Sequence, residues 1–185
     1  MIPITSLWLP ILVSAIFVFI ASSVIHMVLK YHDRDFKKVP AEDEVMAALR
    51  KFQIPPGEYY MPRPDSPAQM NTPEYKARRE LGPKVMFTVY PPGDTSMARN
   101  LLLWFLYTIV IAVFAGYVAG VVLPAGSPYL TVFRITSTVA FAGYALALWQ
   151  DTIWYSRNPG TILRTTFDGL VYALLTGGTF GWLWP

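Results

Sequence analysis

Hydrophobic residues fall in four long blocks, separated by two short breaks and one long polar stretch. The blocks cover residues 7–29, 101–123, 129–149 and 162–184. A run of about 20 apolar residues is long enough for a helix to cross the hydrocarbon core of a bilayer. The pattern therefore predicts an all-α integral membrane protein, a four-transmembrane-helix bundle. Residues 1–30 hold its first helix and residues 99–185 form a three-helix region.

The polar stretch, residues 31–98, is charged and rich in proline, and we predict a small α+β insert between the first and second spans. A short helix is expected from Glu42 to Phe52, where apolar residues share one face. Thr72-Pro73 predicts the start of a second helix. Strands are expected at residues 84–90 and 59–61. Two interpretations stay open: a cap ordered by the membrane or a partner, and a solvated, partly mobile loop.

Basic residues predict the orientation. Twelve of the 15 Lys and Arg residues lie between the first and second blocks, whereas the break at residues 124–128 and the amino terminus have none. Because positive loops stay on the cytoplasmic side, residues 31–98 are predicted to be cytoplasmic and both the N-terminus and the C-terminus outside. A cleavable signal peptide is the competing interpretation of the first block, but no basic residue precedes it.

Composition limits the kinds of chemical site that the chain can form. Hydrophobic residues make up 54% of the chain, and cysteine is absent, which excludes disulfides, thiolate metal sites and cysteine nucleophiles. The chain also lacks a glycine-rich phosphate loop, an HExxH pair and a GxSxG elbow. We therefore predict no catalytic residue, no cofactor and no metal site. No nucleic acid is expected as a partner, since acidic residues interleave with the basic ones and no binding module is recognisable.

Small residues recur at every fourth position in the second and fourth blocks. In a helix this spacing gives one narrow face on which another backbone can approach closely. One interpretation packs the second and fourth spans together within the chain, and the other places the stripes at an interface between subunits. The stripes consist of Ala112, Gly116 and Gly120, and of Gly169, Ala173, Gly177 and Gly181.

Four ionisable side chains fall inside the predicted spans: His26, Arg134, Arg164 and Asp168. Asp168 is expected to pair with Arg164 one turn earlier, with ion or proton handling as the alternative. His26 and Asp168 lie at similar depth, which predicts that they meet, either as polar packing or as a proton relay. Metal binding is disfavoured because His26 and His32, six residues apart, do not share a face of a continuous helix.

Arg134 shares a helix face with Thr131 and Thr138. We expect its side chain to extend to the outer headgroups, with a salt bridge or a lipid phosphate between helices as the alternative. The predicted topology places Arg134 and Asp168 in opposite leaflets, so the two should not pair.

Three segments carry a resemblance: SSVIHMVLKYH at the end of the first block, IPPGEYYMP in the insert, and DGLVYALLTGGTFGWLWP at the close. Together they resemble a group of small bacterial inner-membrane proteins that have no known activity. The resemblance implies a multi-pass protein of the bacterial cell inner membrane, and it transfers no functional residue.

These features favour a non-catalytic membrane scaffold or accessory subunit, which acts through helix packing, homo-oligomerisation or membership of a larger complex. Membrane lipids are the other expected partners. The alternative is a small ion- or proton-coupled transporter or channel that uses Asp168 and Arg134. A lipid-modifying membrane enzyme with a site at His26 and Asp168 is a third hypothesis.

Overall fold

The computed structural model describes residues 1–93 and 96–185. The chain divides into two compact units, one formed by residues 1–37 and 96–185 and the other within residues 38–95. Residues 31–37, which the sequence assigns to the insert, thus belong with the helical unit. The reason lies in a sharp reversal after the first helix, which is described below.

Seven α-helices and two strands are present in the described ranges. They are α1 (Trp8–Val24), α2 (Glu42–Arg50), β1 (Gly57–Met61), α3 (Pro73–Leu81), β2 (Val85–Val89), α4 (Met97–Val122), α5 (Tyr129–Tyr144), α6 (Trp149–Tyr155) and α7 (Pro159–Trp182). A 3-10 turn, Ile4–Leu7, precedes α1, and a π-helical turn, Ile25–Leu29, follows it.

Three helical stretches are long and apolar enough to cross a membrane: Ile4–Leu29, Met97–Val122 and Tyr129–Tyr155. They bear out the first three predicted spans as helices of sufficient length and apolar composition, and they support a multi-pass membrane protein. The third continues through a 3-10 turn into α6, so it ends beyond the predicted residue 149. Within the described residues α7, 24 residues long, is not among these three stretches. Its crossing of the membrane stays a prediction.

Four helices of the first unit close into a ring. α1 packs against α4 and α7, and α5 packs against the same two helices from the opposite side. The small stripe of α7 faces α5, so the interpretation that packs it against α4 is wrong. An added Cβ at Gly177 would lie 2.7 Å from the Cβ of Ser137, and one at Gly181 would lie 2.7 Å from the ring of Tyr129. Gly169 lies against the end of α5 in the same way, since an added Cβ would lie 3.3 Å from the Cβ of Tyr144 and 2.9 Å from that of Ala145, the next residue.

The stripe of α4 meets other partners. Ala112 is buried, and a Cβ at Gly116 would lie 3.0 Å from the ring of Phe180 on α7. Gly120 lies against the amino-terminal segment, where its carbonyl accepts a hydrogen bond of 2.8 Å from the N–H of Ile2. At its two glycines this stripe therefore admits one aromatic ring and the amino-terminal segment of the chain.

The two faces of α7 differ in side-chain size, with large residues on the outer face and small residues on the inner face. Leu163, Phe167, Leu170 and Leu174 are large, apolar and exposed, while Ala173 on the other side is 1% exposed. Small residues between helices and large apolar residues outside are typical of proteins that pack in lipid. The same inversion holds for α1 and α4, which expose residues such as Ile20 and Phe114.

The second unit has the predicted elements. Thr72 caps α3 by accepting a hydrogen bond from the N–H of Tyr75, and β1 pairs with β2 in antiparallel register, Tyr59 opposite Phe87. The Tyr75 hydroxyl donates to the Pro62 carbonyl at 3.0 Å. Among the described residues of this unit only Pro62 and Tyr75 are buried. Its hydrophobic core is therefore very small for a unit of this length.

Candidate polar site at the end of the helical ring

An irregular turn after α1 creates a polar site. The α-helix stops at Val24, the next turn widens to the π-helical Ile25–Leu29, and Lys30 ends it with a left-handed φ of 50°. A 3-10 turn, Tyr31–Arg34, follows at once. Such π turns are rare and often lie at functional sites. Here the break turns the chain back toward α7.

Asp168 on α7 is the buried centre of the site, with 2% of its side chain exposed. The Tyr31 hydroxyl donates a hydrogen bond to its Oδ1, and His32 Nε2 lies 2.7 Å from its Oδ2. The predicted pairing of Asp168 with Arg164 is wrong, since Arg164 bonds to Asp35 instead. Asp35, which directly follows the 3-10 turn, reaches Arg164 because the chain turns back toward α7.

His32 bridges two carboxylates. Its Nδ1 lies 2.6 Å from Asp35 Oδ2 and its Nε2 lies 2.7 Å from Asp168 Oδ2. A neutral imidazole carries one N–H and can donate to only one of them. The second contact therefore needs one more cation between its nitrogen and oxygen, and in the simplest case that cation is a proton.

Asp35 and Arg164 form the outer layer of the site. Arg164 Nε donates to Asp35 Oδ1 at 2.8 Å, and its Nη2 donates to the same oxygen. Burial raises the pKa of the Asp35 carboxyl, but hydrogen bonds from His32 and Arg164 outweigh burial and hold that pKa below its ordinary value. Asp35 is thus ionised at neutral pH, and its negative charge balances the positive charge of Arg164.

His26 completes the cluster from the π turn. Its ring centroid lies 4.7 Å from that of His32, and the nearest ligand atoms of His26, His32 and Asp168 lie within 4.8 Å of one another. The predicted proximity of His26 and Asp168 is confirmed. The reasoning that kept the two histidines apart is wrong, because it assumed a continuous helix, and the helix breaks at Lys30.

Arg134 lies away from the site. It is exposed on α5 beside Phe133, which contacts Gly177, whereas Gly169, next to Asp168, contacts Tyr144. About ten residues of helix therefore separate the two levels, or about 15 Å along α5. The prediction that Arg134 and Asp168 do not pair is confirmed.

Tyr31 and Asp35 also belong to the site, although neither was among the residues predicted from the sequence. Their signal was a dense run of ionisable and phenolic groups, YHDRD, directly after an apolar block. That run was assigned to a loop because its basic residues fit the charge rule for orientation.

Comparisons with protein-family models, with curated proteins and with solved structures return no match.

Proposed function

We propose that the chain is a non-catalytic accessory subunit of a larger complex in the bacterial inner membrane. In this proposal α7 is the fourth span, both termini lie outside, and residues 31–98 are cytoplasmic. The distribution of basic residues supports the orientation. The exposed apolar face of α7, opposite its small stripe, supports a lipid-facing position for that helix.

An uncovered apolar groove on the second unit is the observation that carries the proposal. It has a volume of about 850 Å³ and lies between α2 and the sheet. Val45, Met46 and Leu49 of α2 line it and stay exposed. Because each square ångström of apolar surface removed from water stabilises by about 25 cal/mol, an apolar partner in this groove would gain substantially. Exposed apolar patches rimmed by polar residues commonly mark interaction sites.

We propose that the groove binds an apolar segment of a different protein. A bilayer surface is flat, whereas this surface is concave and of a size that accepts protruding side chains. Among the described residues that line it, only Arg50 is charged. We therefore expect the partner segment to present apolar residues with a carboxylate next to them, as an amphipathic helix does.

A photoreactive phenylalanine analogue placed at Leu49 tests this proposal in native membranes. We expect one discrete adduct with a membrane-complex protein, identified by mass spectrometry, and loss of that adduct when Val45→Glu is added. Lys76, exposed on α3 of the same unit, is the control position and should give no such adduct. An adduct with lipid alone or with a second copy of the chain would contradict the proposal, as would equal labelling at both positions.

A proton- or ion-coupled transporter that uses Asp168 and Arg134 is the second candidate. The additional proton or other cation that the two carboxylate contacts of His32 require favours this candidate. The distance of Arg134 from the site weakens the role of that arginine. In this case Asp168→Asn should lower proton flux into liposomes at least about tenfold, since the amide cannot carry the proton. Asp151→Asn, in α6, is the control. Flux at the wild-type rate in the Asp168 variant would exclude this candidate.

A further inference from the structure

We propose that His26, His32 and Asp168 form a binding site for a divalent first-row transition metal, with Zn²⁺ as the best-fitting ion. The ligand atoms are two imidazole nitrogens and one carboxylate oxygen, all within 4.8 Å of one another. Imidazole suits zinc, copper, iron and nickel, whereas magnesium and calcium prefer oxygen ligands alone. Three protein ligands leave a fourth position of a tetrahedral zinc site for water or for a group of another molecule.

Two of the three ligands are already oriented for a metal. Asp35 occupies His32 Nδ1, and the Tyr31 hydroxyl occupies Asp168 Oδ1. The remaining atoms, His32 Nε2 and Asp168 Oδ2, face each other at 2.7 Å, and a ligand atom of His26 lies within 4.8 Å of both residues' ligand atoms. Metal-binding histidines almost always hold their second nitrogen in this way, which fixes the ring and raises its basicity. Arg164 in turn fixes Asp35.

The spacing requires a small opening. Zinc bonds to nitrogen and oxygen are about 2.0–2.2 Å long, so tetrahedral ligand atoms lie about 3.3 Å apart. His32 Nε2 and Asp168 Oδ2 lie at 2.7 Å, the distance at which one proton is shared. A metal ion replaces that proton when the two side chains separate by roughly 0.6 Å, the difference between these spacings. His26 is exposed in the π turn and is the ligand most free to move inward.

The charges around Asp168 also favour a bound cation. Arg164 is paired with Asp35, so the buried Asp168 carboxylate faces a phenol and two imidazoles. A divalent ion compensates a buried carboxylate more completely than a neutral imidazole does. The competing interpretation is a polar knot that holds a proton and no metal, and the two differ in what the purified protein retains.

Zinc binding is measured on the full chain, purified without a polyhistidine tag and titrated with Zn²⁺ against a chromophoric chelator. The chain contains two histidines and no cysteine, so imidazole binding must arise at this site. We expect one Zn²⁺ per chain, and Co²⁺ in its place should give the visible absorption of a tetrahedral site. His26→Ala should weaken binding at least about tenfold, and Asp35→Asn about 10–100-fold through His32.

Asp33→Asn is the matched control, because this carboxylate lies in the same 3-10 turn but is exposed. Its affinity for Zn²⁺ should equal that of the wild type. An unchanged melting temperature of metal-free His26→Ala would show that the variant is folded. The proposal is overturned if the wild type retains less than one Zn²⁺ per chain at micromolar zinc, or if His26→Ala and Asp168→Asn bind as tightly as the wild type.

Discussion

Gly177→Ala should destabilise the helical unit by about 1–3 kcal/mol, the range measured for overpacked cores. The new Cβ would lie 2.7 Å from the Cβ of Ser137 and 2.9 Å from the carbonyl oxygen of Phe133. The carbonyl belongs to the backbone of α5, so it cannot rotate away as a side chain can. α5 and α7 must move apart instead, which loosens the largest helix contact of the ring. Thermal unfolding in mild detergent measures the effect.

Gly178→Ala is the control for this prediction. The next position on the same helix has its nearest neighbour, the Tyr129 hydroxyl, at an ordinary 3.5 Å. Since alanine favours a helix by about 0.5–1 kcal/mol over glycine, this variant should be neutral or slightly more stable. Equal melting temperatures for the two variants would show that the close contact of α5 and α7 does not limit stability.

Arg164→Met should cost about 2 kcal/mol, the second largest effect that we expect. It leaves the Asp35 carboxylate, 8% exposed, without the guanidinium that donates two hydrogen bonds to its Oδ1. Removing one member of a buried pair costs about 3–5 kcal/mol, and we discount this because 30% of the Arg164 side chain is exposed. A double-mutant cycle with Asp35→Asn measures the coupling, which should be about 1–2 kcal/mol for residues in one network.

The chain contains a matched surface pair for this cycle. Arg157 and Asp151 lie 3.0 Å apart, but 50% and 34% of their side chains are exposed. Solvent screens such pairs, so their coupling should lie between about 0 and 1 kcal/mol. A coupling of Arg164 and Asp35 no larger than that of the surface pair would mean that the polar site does not hold α7 against the turn after α1.

The sequence predicts most of the helices, because apolar blocks and helix caps are local signals. The start of α3 at Pro73 follows from Thr72, whose side chain accepts a backbone hydrogen bond in the structure. The partner of the α7 stripe could not be predicted in this way. A stripe shows that another backbone comes close, but its spacing is the same whether that backbone is α4 or α5.

The candidate site was predicted only in part. The proximity of His26 and Asp168 was predicted correctly from their similar depth in the first and fourth spans. Depth along a span can be estimated by counting residues, so it needs no tertiary information. His32 joins the site because Lys30 has a left-handed backbone conformation. Residues other than glycine seldom adopt this conformation, and no residue near Lys30 predicts it. Once this turn is known, Tyr31 and Asp35 follow as neighbours of His32.

The break at Lys30 also has a consequence for biogenesis. Asp168 lies 136 residues after His32, in α7, and is synthesised much later than the turn after α1. Until that helix is synthesised, the histidine and Asp35 have neither Asp168 nor Arg164 to bind. α1 and α7 can therefore be joined through this site only after α7 has been translated, so the ring closes late relative to the insertion of α1.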